Sequence, residues 1–101
     1  MKQKAKEEAA KILAEAQKQA EKIRSEAQAL AEKTRKEGYS AADEIEAKAK
    51  NPLEKAAAKK AADKLRKETD EKAQKIIDEG NVKADKIIED AKRRAEELEK
   101  Q

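Results

Sequence analysis

The sequence predicts an all-α protein, a long antiparallel two-helix hairpin that forms a coiled coil with an eleven-residue repeat. Three observations support this prediction. Small and aliphatic residues recur along the chain in steps of four, three and four, and a proline, Pro52, interrupts the pattern near the middle. In addition, 49% of the 101 residues are charged and only one is aromatic, which suits narrow helices with solvated exteriors.

The first helix is predicted over residues 1–50. The steps between its small and aliphatic residues add to eleven, about 3.67 residues per turn, which indicates a nearly straight or gently right-handed supercoil. So regular a spacing is typical of a helix that packs along one stripe. The stripe consists of Ala5, Ala9, Ile12, Ala16, Ala20, Ile23, Ala27, Ala31, Thr34, Gly38, Ala42, Ile45 and Ala49.

A turn is predicted at residues 51–52. Pro52 fits poorly inside a helix but suits the first position of a new one. Asn51 can cap that helix, and Glu54 follows three residues later as a capping-box partner. So short a connection leaves two options open, which are helices that fold back antiparallel and one bent rod.

The second helix is predicted over residues 53–101 and carries the same repeat, so the chain is predicted to be a single domain. Folding back at the turn places residues opposite each other when their numbers add to about 103. Every large residue of the stripe then meets a small one, which lets two helices interdigitate without voids. The predicted packing seam contains Ile12, Ile23, Ile45, Leu65, Ile76, Ile87 and Leu98, together with Gly38 and Gly80.

Gly38 and Gly80 allow two interpretations. Each could end a helix, because glycine is common just past a helix C-terminus. Both glycines nevertheless stay in phase with the repeat, and the predicted register places Gly38 opposite Leu65 and Gly80 opposite Ile23. We therefore expect continuous helices that approach each other closely at the two glycines.

A possible partner patch lies beside the seam. Leu13, Ile77 and Ile88 each follow an isoleucine of the stripe, and positions one step past the core of two antiparallel helices fall on the same side. The predicted register puts Leu13 and Ile88 close to the same level. They could also be scattered surface residues, which are normal in soluble proteins. Because one hairpin buries little apolar surface, we expect a second copy to dock here as a dimer with four helices.

The composition argues against catalysis. The chain has no Cys and no His, so it lacks a thiol nucleophile, an imidazole base and the common ligands of soft metals. We predict no catalytic residue, no metal site and no cofactor. The 26 basic and 23 acidic residues leave a net charge of +3 without interleaved aromatics, so nucleic-acid binding is not expected.

The composition does not determine the cellular compartment of the protein. No apolar run approaches the roughly 18 residues of a membrane span, so no membrane insertion is expected. A soluble protein of the cytoplasm or of a bacterial envelope fits the composition equally well, and a targeting segment could have been removed.

The repeat resembles those of known helical proteins. The stretches Ala20–Ala27 and Ala84–Ala91 each contain Ala-x2-Ile-x3-Ala and resemble the repeats of rotary ATPase peripheral-stalk subunits, which implies a stalk segment of a larger complex. With Thr34, Gly38 and few aromatics, the chain is also similar to late-embryogenesis-abundant proteins, which implies a stress protectant that is disordered in dilute water. A third similarity is to small Ala/Lys/Glu-rich helical proteins of bacterial cell envelopes.

Taken together, these features predict a non-enzymatic structural protein, a rigid coiled-coil spacer or oligomerisation scaffold. Its expected partner is a second copy or another helical protein. The alternatives are the stalk segment and the stress protectant that the two resemblances imply.

Overall fold

The computed structural model describes residues 2–100, which form two α-helices joined by a short connection. Helix α1 spans Lys2–Ala47 and helix α2 spans Pro52–Lys100, and no strand occurs in this part of the chain. The two helices pack against each other as an antiparallel hairpin. The prediction of an all-α two-helix hairpin is therefore confirmed, and the bent rod is excluded.

The helix bounds differ from the predicted ones at the turn. Helix α1 ends at Ala47 instead of residue 50, residues 48–51 form the connection, and Pro52 already belongs to α2. The outer ends predicted at residues 1 and 101 lie outside the described residues. The connection is longer than expected because Lys50 belongs to the cap of α2, not to α1.

The cap of α2 explains where that helix begins. The backbone N–H of Glu54 donates a hydrogen bond to Oδ1 of Asn51 at 2.9 Å, and the backbone N–H of Lys50 donates one to Oε2 of Glu54 at 2.8 Å. Pro52 has no N–H to leave unsatisfied in the first turn. Asn51 and Glu54 thus act as the predicted capping residues, with Lys50 rather than Asn51 donating to the glutamate.

Both helices run through their glycines without a break. Neither Gly38 nor Gly80 has a positive φ angle, and each lies well inside its helix. The expectation of continuous helices is confirmed. A Cβ atom on Gly38 would collide with the side chain of Thr69, so α1 and α2 approach each other closely at this layer.

The second glycine shows the same close approach. A Cβ atom on Gly80 would lie 2.5 Å from Cβ of Ala27 and 3.8 Å from the carbonyl oxygen of Ile23. Real Cβ atoms are never that close, because their van der Waals surfaces would overlap. The contact that requires a glycine here is therefore with Ala27, not with the predicted Ile23.

These contacts define a register that differs from the predicted one. The numbers of both contact pairs, Gly38 with Thr69 and Gly80 with Ala27, add to 107 instead of 103. The predicted pairing of Gly38 with Leu65 is thus wrong by four residues, about one helical turn. In the observed register every large residue of the stripe lies opposite an alanine.

The shift leaves the start of α2 beyond the end of α1. In the observed register Ala47 lies level with residue 60, so α2 begins eight residues, or about 12 Å, beyond the end of α1. The connection begins as a continued turn of α1, in which the backbone N–H groups of Lys48 and Ala49 donate to the carbonyl oxygens of Glu44 and Glu46. The first residues of α2 consequently lack a partner helix, and Leu53 is 83% exposed.

The contacts along the hairpin divide it into two compact units. The terminal unit contains the described residues up to Ala27 and those from Asp78 onward, and the turn unit contains Gln28–Ile77. Each unit is itself a pair of antiparallel helical segments. The sequence predicted one domain and did not anticipate this division.

Candidate functional site

The repeat arranges the residues of each helix in rows. When eleven residues make three turns, residues eleven apart share a row, and neighbouring rows are about 33° apart around the helix. Four neighbouring rows are buried or partly buried on each helix, except at Ile45, at Glu99 and at Glu54 and Lys55 in the first turn of α2. Two central rows of small residues are bordered by an aliphatic row on one side and by a row that we call the ion-pair row on the other.

The rows have the following members. On α1 the central rows are Ala5, Ala9, Ala16, Ala20, Ala27, Ala31, Gly38 and Ala42, the aliphatic row is Ile12, Ile23, Thr34 and Ile45, and the ion-pair row is Leu13, Arg24, Arg35 and Glu46. On α2 the central rows are Ala58, Ala62, Thr69, Ala73, Gly80, Ala84, Ala91 and Ala95, the aliphatic row is Leu65, Ile76, Ile87 and Leu98, and the ion-pair row is Arg66, Ile77, Ile88 and Glu99.

The floor of the seam is made of small side chains. Ala20, Ala31, Ala42, Ala73 and Ala84 are all 0% exposed, whereas no large side chain is fully buried among the described residues. The large residues that were predicted to form the packing seam instead flank it. Ile45, in the last turn of α1, is 37% exposed. A seam this narrow covers each large side chain from one side only.

In the terminal unit, one ion pair crosses between the helices on the side of the ion-pair rows. Nη2 of Arg24 donates to Oδ1 of Asp85 at 2.7 Å. The arginine side chain is partly buried and the aspartate side chain is largely exposed. Exposed pairs of this kind contribute only about 0–1 kcal/mol, so the pair orients the two helices more than it stabilises them.

In the turn unit, Arg66 of α2 is the centre of a larger cluster. Its guanidinium lies 2.8 Å from Asp43 and 2.5 Å from Glu46 of α1, and 3.0 Å from Asp63 of its own helix. The hydrogen bonds to Asp43 and Glu46 raise the pKa of Arg66 above its ordinary value. Because the planar guanidinium offers several donors, a single arginine can hold carboxylates of both helices.

Tyr39, the one aromatic residue, also takes part in a contact between the helices. Its hydroxyl donates to the carboxylate of Asp70, at 2.9 Å from Oδ2, and Nε of Arg35 lies 3.8 Å from Oδ1 of the same aspartate. Tyr39 and Asp70 are 31 residues apart in the sequence, so only the packed helices bring them together.

The hydroxyl of Tyr39 should lose its proton at a higher pH than an ordinary tyrosine does. The hydrogen bond to Asp70, followed by burial, raises the pKa of Tyr39 above its ordinary value of 10.0. Because the folded state favours the protonated hydroxyl, this contribution to stability is complete below pH 10 and is lost as the pH rises through the folded-state pKa. A titration of near-ultraviolet absorbance reports this group alone, since the chain has no other tyrosine and no tryptophan.

The control for this titration is a charge removed elsewhere. We expect Asp70→Asn to lower the pKa of Tyr39 toward 10, and Asp90→Asn, which removes the same charge in the terminal unit, to leave it unchanged. Equal titration midpoints in both variants would show that Asp70 does not control the hydroxyl.

The predicted partner patch falls in the ion-pair rows. Leu13, Ile77 and Ile88 are partly buried, so they are not loose surface residues. Leu13 and Ile88 belong to the terminal unit and Ile77 to the turn unit. In the observed register Leu13 lies level with residue 94, which places Ile88 about 9 Å along the axis from it. The patch stays a prediction, but its two residues in the terminal unit are not at one level.

The aliphatic rows line grooves on the other side of each unit. In the terminal unit Ile12 and Ile87 lie at the base of a groove, between Glu15 on α1 and Arg94 on α2. Leu98 extends this side through a second groove that also contains Ile12. In the turn unit Thr34 and Leu65 line the corresponding groove. The large aliphatic residues thus lie partly buried at the open grooves.

Sequence reasoning missed the arginines that connect the helices. Arg24 and Arg35 are eleven residues apart and share a row with Leu13, while Arg66 shares a row with Ile77 and Ile88. Each arginine immediately follows a member of an aliphatic row. The arginines could therefore have been found by the pattern that identified Leu13, Ile77 and Ile88, which is a position one residue past the stripe. That pattern was applied to apolar residues and not to charged ones.

Among the residues that the structure describes, no group of three or more acidic, His or Cys side chains could hold a metal ion. Neither α1 nor α2 contains an apolar stretch long enough to cross a bilayer.

The fold and its seam define the class of this protein as an all-α helical hairpin of two long helices. Comparison of the chain with protein families, with curated proteins and with solved structures found no match.

Proposed function

We propose that this protein is a non-enzymatic structural and interaction protein, a rigid coiled-coil spacer that also acts as an oligomerisation scaffold. The observation that carries the proposal is the seam of small residues that follows both helices. Nine alanines of the central rows are at most 5% exposed. They are Ala9, Ala20, Ala31, Ala42, Ala62, Ala73, Ala84, Ala91 and Ala95.

This seam supports a mechanical role because it opposes sliding. An isoleucine or leucine of the other helix lies opposite seven of these alanines, and Thr34 lies opposite Ala73, so movement by a single residue would turn large side chains away from their small partners. At Gly38 and Gly80 the helices approach so closely that a methyl group has no room. Interdigitated cores of this kind are stiff, because side chains at crystal-like density cannot move independently.

Circular dichroism in dilute buffer tests the proposal. A spacer should be strongly helical and should melt cooperatively at low micromolar concentration. A coil signal would contradict it and would favour the stress-protectant alternative.

Changing the length of the hairpin tests the spacer directly. Removing residues 10–20 and 87–97 deletes one whole repeat from each helix, so helicity per residue and cooperativity should be retained. Removing residues 10–18 and 89–97 deletes nine from each and rotates the ends of the seam by roughly 160°. The nine-residue deletion should therefore leave the segments beyond it unpaired, and equal melting of the two deletions would contradict the proposal.

A further inference from the structure

The groove side of the terminal unit combines apolar residues with charged side chains that form no ion pair with a described residue. Ile12, Ile87 and Leu98 line its grooves, and all three are only partly buried. Ile23 occupies the same aliphatic row as Ile12 and is also partly buried. In this unit, unlike the turn unit with its Thr34, every member of the aliphatic rows is a large hydrocarbon side chain.

Opposite charges border these residues in rows. On α1, Glu15 and Glu26 are eleven residues apart and therefore share a row, and on α2 Lys83 and Arg94 share another. Glu15 and Arg94 line the same groove, together with Asp90, whose carboxylate is paired with Arg93 of its own helix. None of the four charged residues in these two rows makes an ion pair with a described residue, whereas Arg24 on the other side of the unit does.

The two glutamates of α1 and the two basic residues of α2 also lie at matching positions along the helix axis. The numbers of Glu15 and Arg94 add to 109, as do those of Glu26 and Lys83. Arg24 and Asp85, which do form an ion pair across the helices of this unit, have the same sum. Each glutamate therefore lies level with one basic residue of the other helix.

We propose that a second copy of this chain binds the groove side of the terminal unit, about a two-fold axis parallel to the helices. The inference rests on the proposed function as an oligomerisation scaffold. A two-fold axis parallel to the helices places α1 of one copy against α2 of the other. Every residue keeps its position along the helix axis, so residues that are level within one copy are also level between the copies. Glu15 then meets Arg94 of the second copy and Glu26 meets Lys83 of the second copy, twice over by symmetry.

The competing symmetric arrangement is disfavoured by charge. A two-fold axis that lies in the interface and is perpendicular to the helices places α1 of one copy against α1 of the other. Glu15 and Glu26 would then meet the row of Glu15 and Glu26 of the second copy. Like charges across an interface select against a wrong arrangement. In the parallel-axis dimer the four aliphatic residues of each copy, Ile12, Ile23, Ile87 and Leu98, cover each other as the core of a four-helix arrangement.

The experiment measures the dissociation constant by sedimentation in low salt. We expect Glu15→Lys with Glu26→Lys to weaken self-association at least about tenfold, because four attractive contacts become repulsive. Lys83→Glu with Arg94→Glu should weaken it similarly. The chain with all four substitutions should associate within about threefold of the wild type, because its charges are complementary again.

A matched control tests whether position matters. Glu21→Lys with Glu32→Lys changes the same charge at the same spacing, but on the side of the ion-pair rows, and should leave association within about threefold of the wild type. Circular dichroism of every variant separates loss of association from unfolding. The exchanged residues make no ion pair with any residue that the structure describes, so the melting of the hairpin should be little changed.

Several results would overturn the proposal. It fails if the wild type stays a folded monomer at high micromolar concentration, or if Glu15→Lys with Glu26→Lys associates as tightly as the wild type. It also fails if Leu13→Ser with Ile88→Ser abolishes association while the charge reversals do not, because the partner patch would then be the interface. A helical monomer would leave the spacer function standing, whereas a coil signal in the wild type would remove that function as well.

Discussion

Replacing Gly80 with alanine should destabilise the hairpin by about 2 kcal/mol, although alanine is the better helix former. The new Cβ would lie 2.5 Å from Cβ of Ala27, and neither atom can move without its helix. The helices would have to separate along this layer. Thermal denaturation followed by circular dichroism should show a decrease in melting temperature of roughly 10 °C.

An exchange of the two residues provides the control. Ala27→Gly alone should cost about 1 kcal/mol in helix propensity. The double variant Gly80→Ala with Ala27→Gly moves the methyl group from one helix to the other and should melt close to the wild type. Additive losses would contradict the observed register. In the predicted register, where Ile23 opposed Gly80, the exchange at Ala27 would bring no recovery.

Replacing Ala62 with leucine should be still more harmful, with an expected loss of about 3 kcal/mol. Ala62 is 0% exposed in a central row, and its level is already occupied by Ile45 of α1. Three additional carbon atoms cannot be accommodated unless the helices move apart. The melting temperature should decrease by roughly 12–24 °C.

The adjacent alanine is a matched control for this substitution. Ala61 is exposed, so Ala61→Leu should change stability by less than about 0.5 kcal/mol. The two variants have identical composition and differ only in which row carries the leucine. Similar melting of the Ala61 and Ala62 variants would show that the central rows do not form the seam.

Much of the fold was predictable because the repeat is local information. The spacing of Ala, Ile and Gly residues determines which side of each helix is buried, and the structure buries that side. Asn51 and Glu54 determine where α2 begins, since capping acts over a few residues of one chain segment. Gly38 and Gly80 keep the phase of the repeat, so continuous helices could be expected despite their low propensity.

The candidate interaction surfaces were less predictable. The sequence identified Leu13 and Ile88 as a patch, because both are one step past the stripe, but their relative level depends on the register. The same dependence conceals the ion pair between Arg24 and Asp85 and the cluster around Arg66, since charges 61 or 23 residues apart give no local signal. Only the packed helices bring these side chains together.

By itself, the sequence determined that two long helices form, where their buried sides lie and where α2 begins. The tertiary structure alone decided the register and the roles of the rows. The physical reason is that sums of 103 and 107 both place every large residue opposite a small one, so the repeat cannot distinguish them. The close contacts at Gly38 and Gly80 identify the second, and that register makes the alanines the floor of the seam and leaves the isoleucines at its open edge.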